Sequence, residues 1–291
     1  MRISAGEKIF YAINYVILSL ASLSCILPIL HIISLSLSSA ESITMGQVGL
    51  WPVEFTAEAY RKLVSGTDVL GAFRNSVLIT LVGTALNMVF TVLTAYPLSK
   101  QYFYARRFFT LAIVFTMLFT AGLIPNYLLI KSLGLVNTYG SLWLPGLISA
   151  YNLLIVRTFF ENIPEELEDA ARIDGCGEWR LIIQMVLPLS LPVIATIALF
   201  YGVGHWNAFF NVLIYINDSS KFNLSVLVQN MIRSQSLMSE LAQLDPDAFR
   251  NLTPEAIKSA GIIVMVLPML IIYPFLQKYF VKGVLIGSIK G

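Results

Sequence analysis

Arg74-Asn-Ser-Val-Leu-Ile-Thr-Leu-Val-Gly-Thr-Ala-Leu-Asn-Met-Val-Phe-Thr-Val-Leu-Thr-Ala-Tyr-Pro-Leu-Ser-Lys100 holds 25 consecutive uncharged residues between two basic ones. About 20 apolar residues in a helix cross the hydrocarbon core of a bilayer, where a charged side chain is costly. The stretch therefore reads as a transmembrane helix. Working outward, the same test finds five more windows. They hold 32 residues between Lys8 and Glu41, 23 between Arg107 and Lys131, and 25 between Lys131 and Arg157. A further 37 lie between Arg180 and Asp218, and 19 between Lys258 and Lys278. Spans are expected at about 10–37, 75–98, 108–130, 137–157, 182–208 and 259–279. The next longest gaps, Glu41 to Glu54 and Lys221 to Arg233, have 12 and 11 residues and are too short to cross. Ile9–Leu37 exceeds the roughly 7–15 apolar residues of a cleaved secretion signal, so it is read as a retained helix although Ser36–Ser39 imitates a cleavage site.

Composition agrees. Of 291 residues, 57% are hydrophobic and 12% charged, about half the roughly 25% charge of soluble domains, and mean hydropathy is +0.75. A net charge of +2 supplies no basic face for nucleic acid. Two cysteines, Cys25 and Cys176, and two histidines, His31 and His205, make neither a disulfide framework nor a metal site. Six crossings put both termini on one side, which would hold eleven of the 19 Lys and Arg. Its Lys100–Arg107 hairpin carries three positive charges and no acid, so both termini are expected in the cytoplasm. Outside lie Glu41–Arg74, a turn near Lys131–Asn137, and a loop at about 217–257. Prolines 28, 97, 125, 145, 188, 192, 268 and 274 fall in the spans; they fit either helix packing or a kinked path that opens and closes.

The cytoplasmic loop at about 161–180 has a different character, with seven of the chain's 17 acids. Its local rules spell a short helix. Asn162 is a candidate cap, Pro164 suits the first turn, and Glu165 and Glu166 favour the positive helix end. Glu168 and Arg172 stand one turn apart and can pair, and Gly175 is placed to close the helix in a left-handed conformation. Leu167, Ala170, Ala171 and Asp174 share a face. Small residues there let a partner approach closely, so the helix reads either as a docking element or as a solvated link between spans.

Glu168-Asp-Ala-Ala-Arg-Ile-Asp-Gly-Cys176, followed by Val186-Leu-Pro-Leu-Ser-Leu-Pro192, resembles the EAA loop of binding-protein-dependent ABC transporter permeases. Asp169 stands where that pattern has its first Ala, and Cys176 where an Ala usually follows the Gly. Asn75-Ser76, Ala95-Tyr-Pro-Leu-Ser99 and Trp206-Asn207 look like the carbohydrate branch. Tyr273–Gly283 with Lys290-Gly291 is similar to the half related to the smaller maltose permease subunit, and more narrowly to permeases for pectin or alginate fragments. The resemblance implies an all-α polytopic membrane helix bundle of the type I ABC importer kind, six transmembrane helices with a cytoplasmic coupling helix, in a bacterial cytoplasmic membrane. It implies a second permease subunit, two ATPase subunits that bind ATP and Mg, an extracytoplasmic solute-binding protein, and a sugar or oligosaccharide substrate. Glu168, Asp169, Ala170, Ala171, Asp174, Gly175 and Cys176 would then couple to the ATPase. The external loop, with its Asn230–Leu241 stretch, would meet the binding protein or lie over the bundle as a surface helix.

No Gly-x-x-x-x-Gly-Lys-Ser/Thr occurs, so the chain is expected to be non-catalytic and to hold no cofactor of its own. Candidate substrate-path residues are Asn87, Asn126, Tyr127, Asn152, Trp206, Asn207 and Asn211, since sugars are held by hydrogen bonds and flat aromatic faces; each asparagine could equally bond a neighbouring helix. His205 is expected to be packed or helix-bonded. A gradient-driven secondary carrier is the alternative, but the six windows contain no Asp or Glu to couple an ion. A membrane enzyme would need a catalytic cluster that the spans lack.

Overall fold

A computed structural model describes residues 5–244 and 254–288, with side chains over 6–234 and 254–274. Every regular element among them is helical. Arg2, Arg250 and Lys290, counted among the 19 Lys and Arg, lie outside the described residues, as does residue 291. The chain divides into two compact units, Met1–Leu70 with Leu227–Leu267, and Gly71–Val226 with Pro268–Gly291.

The first unit opens with α1 (Ala5–Ser36), continuous through Pro28. Ile9, Phe10, Tyr15 and Leu20 are all exposed, so the helix presents apolar surface all round, as a lipid-embedded helix does. At its end the serine run becomes a hydrogen-bonded corner. Ser38 Oγ donates to Ser34 O and accepts from Val53 N, and Ser39 Oγ caps α2 (Ala40–Thr44) through Ser42 N. Helix α3 spans Glu58–Gly66.

The second unit contains most of α4 (Val69–Ser99), then α5 (Arg106–Leu118), α6 (Leu123–Ser132), α7 (Gly140–Trp143), α8 (Ala150–Glu161), α9 (Glu165–Ile173) and α10 (Glu178–Leu181). A π-helical turn, Ile182–Val186, leads to α11 (Leu187–Leu189), α12 (Leu191–Trp206) and α13 (Phe210–Tyr215). Two further helices run through both units. In α14 (Leu224–Leu244), the Asn230–Leu241 stretch is helical, with side chains beyond 234 outside the described ones; in α15 (Pro254–Ser288), side chains beyond Pro274 are likewise outside.

Among the described residues, three helices are long and apolar enough to cross a bilayer, within α1, α4 and α15. The stretches concerned, Gly6–Ser36, Val69–Ser99 and Pro254–Pro274, overlap the windows at 10–37, 75–98 and 259–279. The windows at 108–130 and 182–208 are instead bent pairs, turning by 116° between α5 and α6 and by 87° between α11 and α12. Gly122, at φ +83°, makes the first turn, a backbone state that glycine adopts without steric cost; Pro125 sits harmlessly in the first turn of α6. The second bend falls at Ser190, between Pro188 and Pro192. The window at 137–157 is α7 and α8 with an irregular stretch at 144–149 between them. Counting charges reveals apolar length, not helical continuity.

Breaks in apolar surroundings leave backbone groups that need partners. Asn87 Nδ2, from α4, donates to Gly146 O at 2.5 Å and Leu147 O at 3.0 Å, filling the gap between α7 and α8. Its Oδ1 accepts from His205 Nε2 at 2.5 Å. Tyr201 OH accepts from Ser149 N and meets Thr91 Oγ1 at 2.8 Å. One apolar core joins Ala95, Tyr96, Leu153, Phe160, Leu181 and Ile197; another joins Ile79, Ile130, Leu142, Val212 and Val226.

Gly83 permits the His205 contact, because a Cβ there would stand 2.6 Å from His205 Nε2. Gly83→Ala is expected to displace the ring and lower stability by about 1–3 kcal/mol, the usual cost of overpacking. Thermal unfolding of the purified transporter should show that loss, and the loss should largely vanish in a His205→Ala background.

Candidate functional site

The loop between α8 and α10 is built around α9. The helix begins at Glu165 after Pro164, without a side-chain cap. Asn162 does not cap it. That residue closes α8 and donates Nδ2 to Thr158 O at 2.7 Å, because two further residues separate it from the first turn of α9. Glu165, Glu166 and Glu168 fill that turn, complementing the positive helix end. At the other end Cys176 N donates to Ala171 O at 2.9 Å and Gly175 N to Arg172 O at 3.0 Å. With Gly175 at φ +78°, this is a complete Schellman closure. A Cβ on Gly175 would meet nothing in this chain within 4 Å, so a side chain there is opposed by the backbone conformation alone. Helix α10 begins at Glu178, where a second helix start is expected.

The faces of α9 sort differently from the simple spacing pattern. Leu167, Ala170 and Asp174 are exposed, but Ala171 turns inward against the core. Ile173, 86% exposed, and Trp179, 67% exposed, join the outward side. Asp169 is exposed and Cys176 half-buried. The outward side of α9 thus carries Leu167, Ala170 and Ile173, and Trp179 of α10 is exposed as well.

Glu168 goes the other way. It is 2% exposed and pairs with Lys100 Nζ, itself 6% exposed. Lys100 lies over the Tyr96 ring at 4.9 Å. Arg172 Nη2 stands 3.9 Å from Glu168 Oε2 and 3.1 Å from Glu178 Oε1, and Arg172 Nη1 stands 3.6 Å from Asp169 Oδ1. Tyr96 OH donates to Glu178 Oε2 at 2.9 Å, and Arg172 Nη2 donates to Tyr102 OH at 3.3 Å. Burial works most strongly, against the Arg172 charge, but the Glu178 carboxylate together with Tyr102 and Tyr96 raises the guanidinium above its ordinary range. The expected Glu168–Arg172 pair is present, yet the closer partner is Lys100, far off in sequence. Lys100, Tyr96, Tyr102 and Glu178 are site residues that local patterns miss. The signal that could have found Lys100 is the pairing of an acid-free basic hairpin with a loop holding seven acids.

The span residues scatter. Asn87 is buried and its amide is committed to Gly146, Leu147 and His205. Asn152 is buried in the first turn of α8, and Tyr127 stacks on Tyr215 at 6.2 Å. Asn126, Asn207 and Asn211 are exposed. Trp206 is buried edge-to-face against Phe73 at 6.1 Å. Both rings line a cavity of about 390 Å³ together with Thr80, Thr84, Gly202 and Met269. Its walls are largely apolar, and the hydroxyls of Thr80 and Thr84 have no hydrogen-bond partner among the described residues. Trp206 is the one candidate path residue on this wall. No group of three or more His, Cys, Asp or Glu able to hold a metal stands together among the described residues.

Residues 80–286 match the family described as "Binding-protein-dependent transport system inner membrane component". Protein LplC of Bacillus subtilis (strain 168) is 43% identical, covering 100% of this chain and 98% of LplC. The polygalacturonan/rhamnogalacturonan transport system permease protein YtcP of the same organism is 40% identical over 98% of this chain and 99% of its own length. A crystal structure of a bacterial ABC transporter involved in the import of the acidic polysaccharide alginate contains a chain that superposes with a TM-score of 0.87. That chain is 30% identical, and the match covers 96% of this chain and 99% of the other. An apolar helical bundle, an EAA-type loop closed at Gly175 and a family match across most of the sequence agree: the chain belongs to the binding-protein-dependent transport system inner membrane components, as a membrane permease subunit of an ABC importer.

Proposed function

We propose that this permease carries an oligosaccharide, of the acidic kind released from pectin- or alginate-like polymers, delivered by an extracytoplasmic binding protein. ATP and Mg are bound by two separate ATPase subunits, and a second permease completes a heterodimer. Support for the cargo comes from relatives named for polygalacturonan/rhamnogalacturonan transport and for alginate import. Trp206, at the cavity wall, and the exposed Asn207 and Asn211 are the residues offered for contact with this cargo.

The observation that carries the docking role is the outer face of the 161–180 loop. Leu167, Ile173 and Trp179 are large apolar groups exposed on a cytoplasmic-type, acid-rich segment, and Ala170, on the face of α9 between Leu167 and Ile173, is a small residue that admits close approach. Isolated, such a patch exposes apolar surface to water; seated in a groove of an ATPase, it is buried. Asp169, Asp174 and Cys176 border it, and Gly175 sets the angle at which the chain leaves it. Both termini are cytoplasmic in this reading, with six crossings when each bent pair and the α7–α8 segment count once. The Lys100–Glu168 pair supports that orientation, since it holds the basic hairpin and the loop on one side.

The first test is gentle extraction of the tagged chain from its native membrane. An ATPase and a second permease should co-purify; recovery of this chain alone would overturn the docking role. Ile173→Glu with Trp179→Ala is expected to reduce the recovered ATPase at least tenfold while leaving the chain's accumulation near wild type, because exposed positions contribute little to folding. Gly175→Asp places a side chain at a left-handed position, at a cost of roughly 1–2 kcal/mol. It should leave the chain in the membrane but uncouple uptake from ATP hydrolysis; normal uptake would rule out the coupling role. In the reconstituted transporter with its binding protein, digalacturonate should stimulate hydrolysis several-fold and maltose should not.

A further inference from the structure

Two acids of the first turn of α9, Glu165 and Glu166, are exposed, whereas Glu168 is almost wholly buried. Its partner is equally unusual. Lys100 follows the last residue of α4 and opens a polar hairpin, where a lysine would ordinarily extend its ammonium into water. Instead it folds back over the Tyr96 ring and is buried against the Glu168 carboxylate. A surface loop helix needs no buried charge pair to stay folded, and buried pairs are better at specifying one geometry than at adding stability. The geometry here is one of attachment. Glu168 and Arg172 lie one turn apart on the same side of α9. Glu168 is tied to Lys100 at the end of α4, and Arg172 is tied to Glu178, which Tyr96 of α4 also holds. Two anchor points on one face prevent the helix from rolling about its axis. Both lead to the same end of one continuous helix.

We propose that Lys100 and Glu168 are positioning residues: their buried ion pair is a strut that makes α9 and the cytoplasmic end of α4 move as one body when the ATPase closes. Glu168 accordingly acts inside this chain rather than as a contact to the ATPase, while the outer face at Leu167, Ala170, Ile173 and Trp179 makes that contact. This inference rests on the docking role proposed above. From α4 the connection continues through Asn87 to His205 and through Thr91 to Tyr201, both on α12, so a shift of α4 is delivered to the helix that walls the cavity. Removal of one partner leaves an uncompensated buried charge and loosens the joint. Exchange of the two restores the pair with its polarity reversed.

The test uses the complete transporter in lipid vesicles, with ketone-reactive nitroxide labels on p-acetylphenylalanine introduced in place of Leu70 and Leu133, so that Cys25 and Cys176 keep their thiols. The distance between the labels is measured without nucleotide and after trapping with ATP and vanadate. The wild-type pair should give a clear distance change. Lys100→Met should give less than a third of that change while retaining the ATPase subunits, and Lys100→Glu with Glu168→Lys should recover more than half of it. A full change in Lys100→Met, or no change in the wild type, overturns the strut. So does selective loss of the ATPase on Glu168→Gln but not on Lys100→Met, which would make Glu168 a docking contact. If Lys100→Met fails to accumulate, the exchanged pair decides: accumulation with the distance change supports the strut, and accumulation without it shows a purely structural role and overturns it. Loss of the ATPase from the otherwise wild-type transporter would instead mark failure of the docking role.

Discussion

A bilayer offers no water to a broken helix, so every interruption inside the apolar spans must be resolved by the protein itself. That constraint organises the second unit. The chain interrupts its helices near Gly122, across 144–149 and at Ser190. The middle break is closed by two side chains from other helices. Asn87 takes the carbonyls of Gly146 and Leu147, and Tyr201 takes the N–H of Ser149. The amide of Asn87 is thus committed to the backbone of that break. Gly83 exists in the same arrangement to let His205 reach Asn87.

At the 161–180 segment the governing interaction changes from backbone satisfaction to charge. The segment 161–180 is too acidic to enter lipid and too short to form a domain, yet α9 is held in one orientation. Apolar packing of Ala171 supplies one attachment, and the Lys100–Glu168–Arg172–Glu178 network supplies the others. Removing one member of a buried pair costs about 3–5 kcal/mol, far more than an exposed i,i+4 pair. The result is a helix anchored on its inner side by Ala171 and these charges, with Leu167, Ala170 and Ile173 exposed on the other. In the docking role proposed above, that division gives firm attachment to the permease and a separate surface for a partner.

Much of this was legible in the residues. Charge-free windows placed the three long helices, because the penalty for a charge in lipid depends on position along the chain and little else. The closing role of Gly175 was legible too, since helix ends obey local stereochemistry. So was the start of α10 at Glu178. The cap at Asn162 was misjudged because Pro164 and Glu165 restart the helix later, and the residue served α8 instead. The bends were not legible as bends: Gly122 and the Pro188–Pro192 region show irregular backbone, but the direction of a turn depends on what each segment packs against.

By itself, then, the sequence determined that the chain is an apolar helical bundle, where its longest helices run, and that an acidic loop with an EAA-type closure interrupts them. These follow from solvent transfer and backbone stereochemistry, which act over a few residues. Only the tertiary structure decided that Asn87 serves a broken backbone, that Glu168 turns inward to Lys100, and that Ile173 and Trp179 are left outside. Those outcomes depend on partners tens of residues away. A hydrogen bond or ion pair of that kind is set by which helices meet, and no local pattern encodes the meeting.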